Sequence, residues 1–303
     1  MSNRHALRRI GPMLAGFLAA SCVIGAPTGF TGGRLEVVVG EDVWGSLAAQ
    51  LGGDLVSVTS IVTNPNADPH DYEPTAADAR LVGAAGFVIE NGIGYDTWMQ
   101  RLVDANLSSR RDVLNVGDLV GVAPGGNPHQ WYSPSSVQRV IDAISAEYAR
   151  LDPAHAADFA ARKQQLDTVG LKPYRDTIQQ IRDQFAGTPV GASESVFAEM
   201  APALGLDLVT PPTFLVAVSE GTEPTAADKA TIDEQIRSRE IRVYVENTQN
   251  TTPDVLRQVE ACRAAGIPVA TITETLVPKG ASFQDWQARQ LMGLLTALTA
   301  STP

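Results

Sequence analysis

Cysteine and histidine are both scarce in this chain, at 2 and 4 of 303 residues. So few cysteines cannot build a disulfide framework. One of them, Cys262, lies in the helical stretch Val255 to Cys262 and reads as a small buried thiol rather than a reactive one. Basic residues are short as well: 23 Lys and Arg against 34 Asp and Glu leave a net charge of −11. Nucleic acid is excluded as a partner, because its phosphates demand basic faces. Neither a His-Glu-x-x-His helix nor a Gly-x-Ser-x-Gly elbow occurs, so two common hydrolase signatures are missing. The apolar run from Met13 to Ala20 is too short to span a bilayer as a mature helix.

That run has another use. Arg4, Arg8 and Arg9 precede it and Ser21-Cys22 follow, which is the layout of a secretory signal. Leu18 to Cys22 resembles a bacterial lipobox, with Ala19 where leucine is usual and Cys22 as the lipidated first residue of the mature chain. The expectation is a signal over 1–22 and a Gly-rich flexible linker over 23–34. The protein is then exported to the outer face of the cytoplasmic membrane and anchored through Cys22. Secreted or periplasmic release is the alternative. With Cys22 acylated, Cys262 has no disulfide partner.

The remaining length suffices for two α/β lobes, each with its own core. Leu35 to Val39, Val56 to Val62, Gly86 to Glu90 and Val113 to Val116 read as strands alternating with helices. Ser133-Pro134 opens a helix whose Val137, Val140, Ile141, Ile144 and Tyr148 share one face. From Ala156 to Phe185 the pattern stays helical, with a kink expected near Gly170 and Pro173, giving a rod of roughly 43 Å. The second half repeats the plan with strands at Thr188 to Ser193, Leu206 to Val209, Ile241 to Val245 and Val269 to Ile272. Helices are expected at Val196 to Leu204, Pro253 to Ala265 and Trp286 to Leu298. The hexapeptide Glu73 to Asp78 recurs as Glu223 to Asp228, and each copy starts a helix leading to a strand that ends in Glu-Asn. The fold class is therefore α/β: two mostly parallel sheets flanked by helices, over 35–155 and 187–303, joined by a long helix over 156–186.

Two loops carry the chemistry. Asp68-Pro69-His70-Asp71-Tyr72-Glu73-Pro74 holds one imidazole stiffly between prolines among carboxylates, and Asn127-Pro128-His129-Gln130-Trp131-Tyr132 holds a second. In an open parallel sheet, ligands bind past the carboxyl ends of strands. His70, His129, Glu194 and Glu274 all sit at or after such ends. Two imidazoles and two carboxylates would balance a divalent cation in the cleft between lobes. Read singly, each has a plainer explanation: a surface turn for either histidine, a helix cap for Glu194 and a loop acid for Glu274.

These loops are similar to the two hallmark loops of the zinc/manganese-binding solute-binding proteins of bacterial ABC importers. Trp44-Gly45, Asn91-Gly92, Trp98, Asp152-Pro153-Ala154-His155 and the Trp286 helix fall in that family's order, so the likeness covers nearly the whole mature chain. The resemblance implies His70 and His129 as ligands. It places a third at Glu194, ahead of Phe197 and Gly205-Leu206, and a fourth at Glu274, where Asp is usual. It also implies one transported divalent ion, an ABC permease with its ATPase as partners, and no catalysis. The oxygen-rich donor set favours Mn²⁺, or Fe²⁺, with Zn²⁺ close behind Mn²⁺. The rival readings are a metal-dependent hydrolase, since such sites also activate water, and a metal-binding surface adhesin. His155 is read as structural and His5 as part of the signal. Glu220 holds the place of His70 in the repeated frame and is expected to line the cleft; Glu246 is a second decoy.

Overall fold

Val37-Val38-Val39 and Phe87-Val88-Ile89 put apolar side chains on successive residues, which suits parallel strands covered on both faces. The computed structural model describes residues 33–64 and 72–301. Its first sheet contains β1 (Leu35–Glu41), β2 (Val56–Val62), β3 (Phe87–Glu90) and β4 (Asp112–Asn115), all parallel, in the order β2-β1-β3-β4. Helices α1 (Asp42–Gly52), α2 (Ala76–Ala84) and α3 (Thr97–Ala105) make the crossovers. Val37 and Val39 join Trp44 and Leu47 on one face, while Val38 and Val88 meet Val82, Trp98 and Met99 on the other. The two cores follow from the two-residue period of a strand.

Strand β4 ends one residue short of the expected Val116. The Asn115 side chain accepts the Asp118 N–H at 3.0 Å and caps a short helix, α4 (Val116–Val120), that the sequence had hidden in a Gly/Pro-rich stretch. Ser133 caps α5 (Pro134–Leu151), whose Val137, Val140, Ile141, Ile144 and Tyr148 are buried as the periodicity demands.

The long connection is α6 (Ala156–Gln165), a π-turn over Leu166–Gly170, and α7 (Lys172–Phe185). The bend falls where it was expected, and its device is the π-turn. Pro173 stands in the first turn of α7, where its missing N–H leaves no bond unmade. Helix α6 packs on α5 and α1, and Arg162 donates to the Gly52 carbonyl at 2.6 Å. Helix α7 packs instead on the second half, with Tyr174 edge-on to Phe283 at 6.0 Å.

The second sheet holds β5 (Pro189–Ala192), β6 (Asp207–Leu208), β7 (Val243–Asn247) and β8 (Val269–Ile272), parallel, in the order β6-β5-β7-β8. That order is the first sheet's order again. The helix expected over Val196 to Leu204 is divided into a 3-10 turn, Ser195–Glu199, and α8 (Ala201–Leu204), with Pro202 in its first turn. Helix α9 (Pro212–Ser219), not read from the sequence, follows β6, and α10 (Ala226–Arg237) and α11 (Pro253–Ala264) flank β7. Thr75 and Thr225, the threonines of the repeated hexapeptide, cap α2 and α10 by accepting the N–H of Asp78 and Asp228. The closing helix α12 (Phe283–Ala300) packs on α7 and β8 and touches α1. One apolar cluster runs through both lobes by way of Trp131, Tyr132, Tyr174, Phe283 and Trp286. Among the described residues no helix is long and apolar enough to cross a membrane. The signal, the lipobox-like Cys22 and the loop from Asp68 to Asp71 with His70 lie outside the described residues.

Candidate metal centre

In the second sheet the strand order reverses between β5 and β7, and the crevice at such a switch point is where open parallel sheets bind ligands. Glu194 leaves the end of β5 in extended backbone (φ −162°, ψ −175°). Glu274 leaves the end of β8, next to β7. His129 comes from the first lobe, just before the 3-10 turn Gln130–Tyr132. His129, Glu194 and Glu274 each offer a ligand atom, and the three atoms lie within 4.8 Å of one another. All three are buried, with 0, 2 and 4% of their surface exposed. The structure thus gathers three of the four expected residues; the fourth, His70, is not among those described.

The imidazole is oriented from two sides. Asn127 donates Nδ2 to the Ser195 carbonyl at 2.7 Å, so its amide oxygen faces His129 and accepts the His129 backbone N–H at 3.1 Å. The same oxygen lies 2.8 Å from Nδ1. A carbonyl oxygen only accepts, so Nδ1 is the donor there and Nε2 is the nitrogen left to face an ion. That Nε2 points at Oε2 of Glu274, 3.4 Å away. Tyr95 and Trp131 stand edge-on to the ring at centroid distances of 5.9 and 5.4 Å, which limits its rotation.

The carboxylates are held by neutral donors. Asn247 Nδ2 donates to Oε1 of Glu194 at 2.5 Å and to Oε1 of Glu274 at 2.7 Å. Asn250 Nδ2 donates to the other oxygen of Glu194 at 2.6 Å, and the Tyr95 hydroxyl donates to Oε2 of Glu274 at 3.1 Å. Burial first, and the neighbouring Glu274 carboxylate second, push the Glu194 carboxyl well above its usual range. Two buried acids this close resist ionising together, and a divalent cation removes that penalty. One imidazole nitrogen and two carboxylates facing a common point make a metal-binding arrangement.

A cavity of about 320 Å³ opens beside the centre, between Tyr95, Asn127 and Pro128 of the first lobe and Ser195, Leu215 and Glu220 of the second. Glu220 lines the cleft. Glu246 is buried at the end of β7, paired along the ladder with Thr271, and is not in the cluster of three. His155 pairs with Asp152 at 2.7 Å in the turn before α6. Sequence reading missed Tyr95, Asn127, Asn247 and Asn250. Two of these left a trace: Asn127 opens the Asn-Pro-His loop, and Asn247 ends the strand that echoes Glu90-Asn91.

Residues 37–297 match the protein family described as ZnuA, zinc-uptake complex component A, periplasmic. The chain is 28% identical over 210 residues to the manganese-binding lipoprotein MntA of Halalkalibacterium halodurans, covering 65% of this chain and 67% of that one. It is 24% identical over 274 residues to the manganese ABC transporter substrate-binding lipoprotein PsaA of Streptococcus pneumoniae, covering 82% and 84%. Its fold resembles a manganese-bound mutant of a periplasmic metal-binding protein from Candidatus Liberibacter asiaticus. There the TM-score is 0.71 at 18% identity, covering 86% of this chain and 98% of that one.

Proposed function

This chain belongs to the family of periplasmic zinc-uptake component A proteins, and from that footing we propose that it is the extracytoplasmic solute-binding protein of an ABC importer. It captures one divalent transition metal ion and hands it to a membrane permease driven by an ATPase. The ion is cargo, held and released without turnover. The ligands are His70, His129, Glu194 and Glu274, contributed by lobes spanning 35–155 and 187–303. The chain is exported and anchored by a lipid on Cys22.

The observation that carries this reading is the convergence of His129, Glu194 and Glu274 within 4.8 Å in a buried site between the lobes. Carboxylate oxygens are hard donors, so the ion proposed is Mn²⁺ ahead of Zn²⁺, with Fe²⁺ third. Zn²⁺ binds N/O sites more tightly on intrinsic affinity, so preference for Mn²⁺ has to come from site geometry and metal supply. Two relatives named above carry manganese in their names, while the family description names zinc.

The test is elemental analysis of the mature chain after loading under limiting metal with Mn²⁺ and Zn²⁺ in competition. One ion per chain is expected. Zinc alone, retained against a large excess of manganese, overturns the choice of Mn²⁺. A chain that retains neither ion, and no Fe²⁺ when loaded with it, overturns the function.

A further inference from the structure

One position recurs in both sheets with the same two letters. Strands β3 and β7 each stand third in the strand order, and their ends carry Glu90-Asn91 and Glu246-Asn247. Both asparagines are completely buried. Asn91 accepts the Trp44 indole N–H at 3.0 Å and donates Nδ2 to the Pro128 carbonyl at 2.9 Å, immediately before His129. Asn247 donates Nδ2 to Glu194 and Glu274 together. Its Oδ1 accepts the Gln249 N–H at 3.1 Å, and its own backbone N–H donates to the Ser193 hydroxyl at 2.9 Å. The bond accepted by Oδ1 fixes which way the amide faces, so that its nitrogen and not its oxygen meets the carboxylates, and the backbone bond holds the residue in place.

We infer that Asn91 and Asn247 are paired positioning residues, one per lobe, and that Asn247 sets the spacing of the two carboxylates and with it the choice among divalent ions. The inference rests on the metal-binding reading above. An amide NH₂ has two hydrogens and gives one to each Oε1. The two acids are therefore braced on one nitrogen before any ion arrives, and each oxygen keeps a further lone pair for the ion. A neutral brace does this without adding a third negative charge or occupying a coordination position. Ligand spacing fixed in advance selects by ion size and coordination preference, which is how sites depart from intrinsic affinity order. Asn91 does the same for the nitrogen side, by holding the loop that presents His129. Groups that orient metal ligands in this way typically change affinity about 10- to 100-fold when removed.

The experiment titrates Mn²⁺ and Zn²⁺ in competition into the wild-type chain and into Asn247→Ala, Asn250→Ala and Asn91→Ala. Metal-free melting serves as the fold check, and the electron paramagnetic resonance spectrum of bound Mn²⁺ reports ligand geometry. Asn247→Ala is expected to weaken Mn²⁺ about 10- to 100-fold, to change the Mn²⁺ to Zn²⁺ ratio and to alter the Mn²⁺ spectrum. Asn250→Ala, which releases Glu194 alone, moves the same quantities by less, and Asn247→Ser, whose single hydroxyl hydrogen cannot serve both acids, takes the place of Asn247→Ala if that variant does not fold. Asn91→Ala weakens binding of both ions. A folded Asn247→Ala, or failing that Asn247→Ser, with wild-type affinities, ratio and spectrum overturns the brace while leaving the metal-binding reading in place. A wild-type chain that binds neither ion, and no Fe²⁺ when loaded with it, overturns both.

Discussion

Nε2 of His129 stands 3.4 Å from Oε2 of Glu274, so a loop of the first lobe and a strand end of the second present their ligand atoms to each other across the cleft. An ion seated there ties the two lobes together. Its binding energy is then available only to the folded chain, because the unfolded chain cannot bring the two together.

Metal should therefore stabilise the fold by mass action, by ~2.7 kcal/mol at a free concentration of about 100 times Kd. His129→Ala, Glu194→Ala and His70→Ala are each expected to remove most of that gain. Thermal melts with and without Mn²⁺ check it, and an undiminished shift in any variant takes that residue out of the site.

Uptake of the ion should release protons. Burial and the adjacent Glu274 raise the Glu194 carboxyl in the metal-free protein, so a proton is held there that the bound ion must displace. Affinity accordingly rises with pH and falls in acid. Calorimetric titration in two buffers of different ionisation enthalpy measures the protons released. Identical apparent enthalpies in both would contradict the expectation.

Asp42 offers a second pH effect, away from the ligands. Burial pushes its carboxyl up to about 6 from an ordinary 3.8, although the Leu276 N–H and Lys279 favour its charged form. The folded chain then holds this proton more tightly than the unfolded chain. Its contribution favours folding at pH below about 4 and is lost as pH rises through about 6. Asp42→Asn, which can still accept from Leu276, should raise metal-free stability by up to ~3 kcal/mol at pH 8 and change it little at pH 4. Denaturant melts at both pH values decide, and equal shifts would mean that ionisation is not the cause.

Cys262 is fully buried on α11, and burial pushes its thiol up to about 12. A thiol without a thiolate is a poor nucleophile. Alkylation at pH 8 is expected to be slow in the native chain and fast in denaturant; similar rates in the two states would show the thiol to be open.

Much of the architecture was legible from local pattern. Val37 and Val39 alternate with Val38 because a strand has a period of two, and the Thr75 and Thr225 caps act within three residues. The bend near Gly170 was also readable, because it interrupts a continuous helical period. What escaped was the helix Val116–Val120 behind an asparagine cap, the division of Val196–Leu204, and α9. Short elements leave too few residues for a period to show.

By itself the sequence determined two parallel α/β halves, a bent helix between them and the Asn-Pro-His loop of the first lobe, because each of these is written in neighbouring residues. Only the tertiary structure decided that one amide, Asn247, braces both acids and that Asn127 fixes the proton on His129. A hydrogen bond between side chains distant in sequence leaves no periodicity, and its partner is chosen by how the two sheets fold and pack.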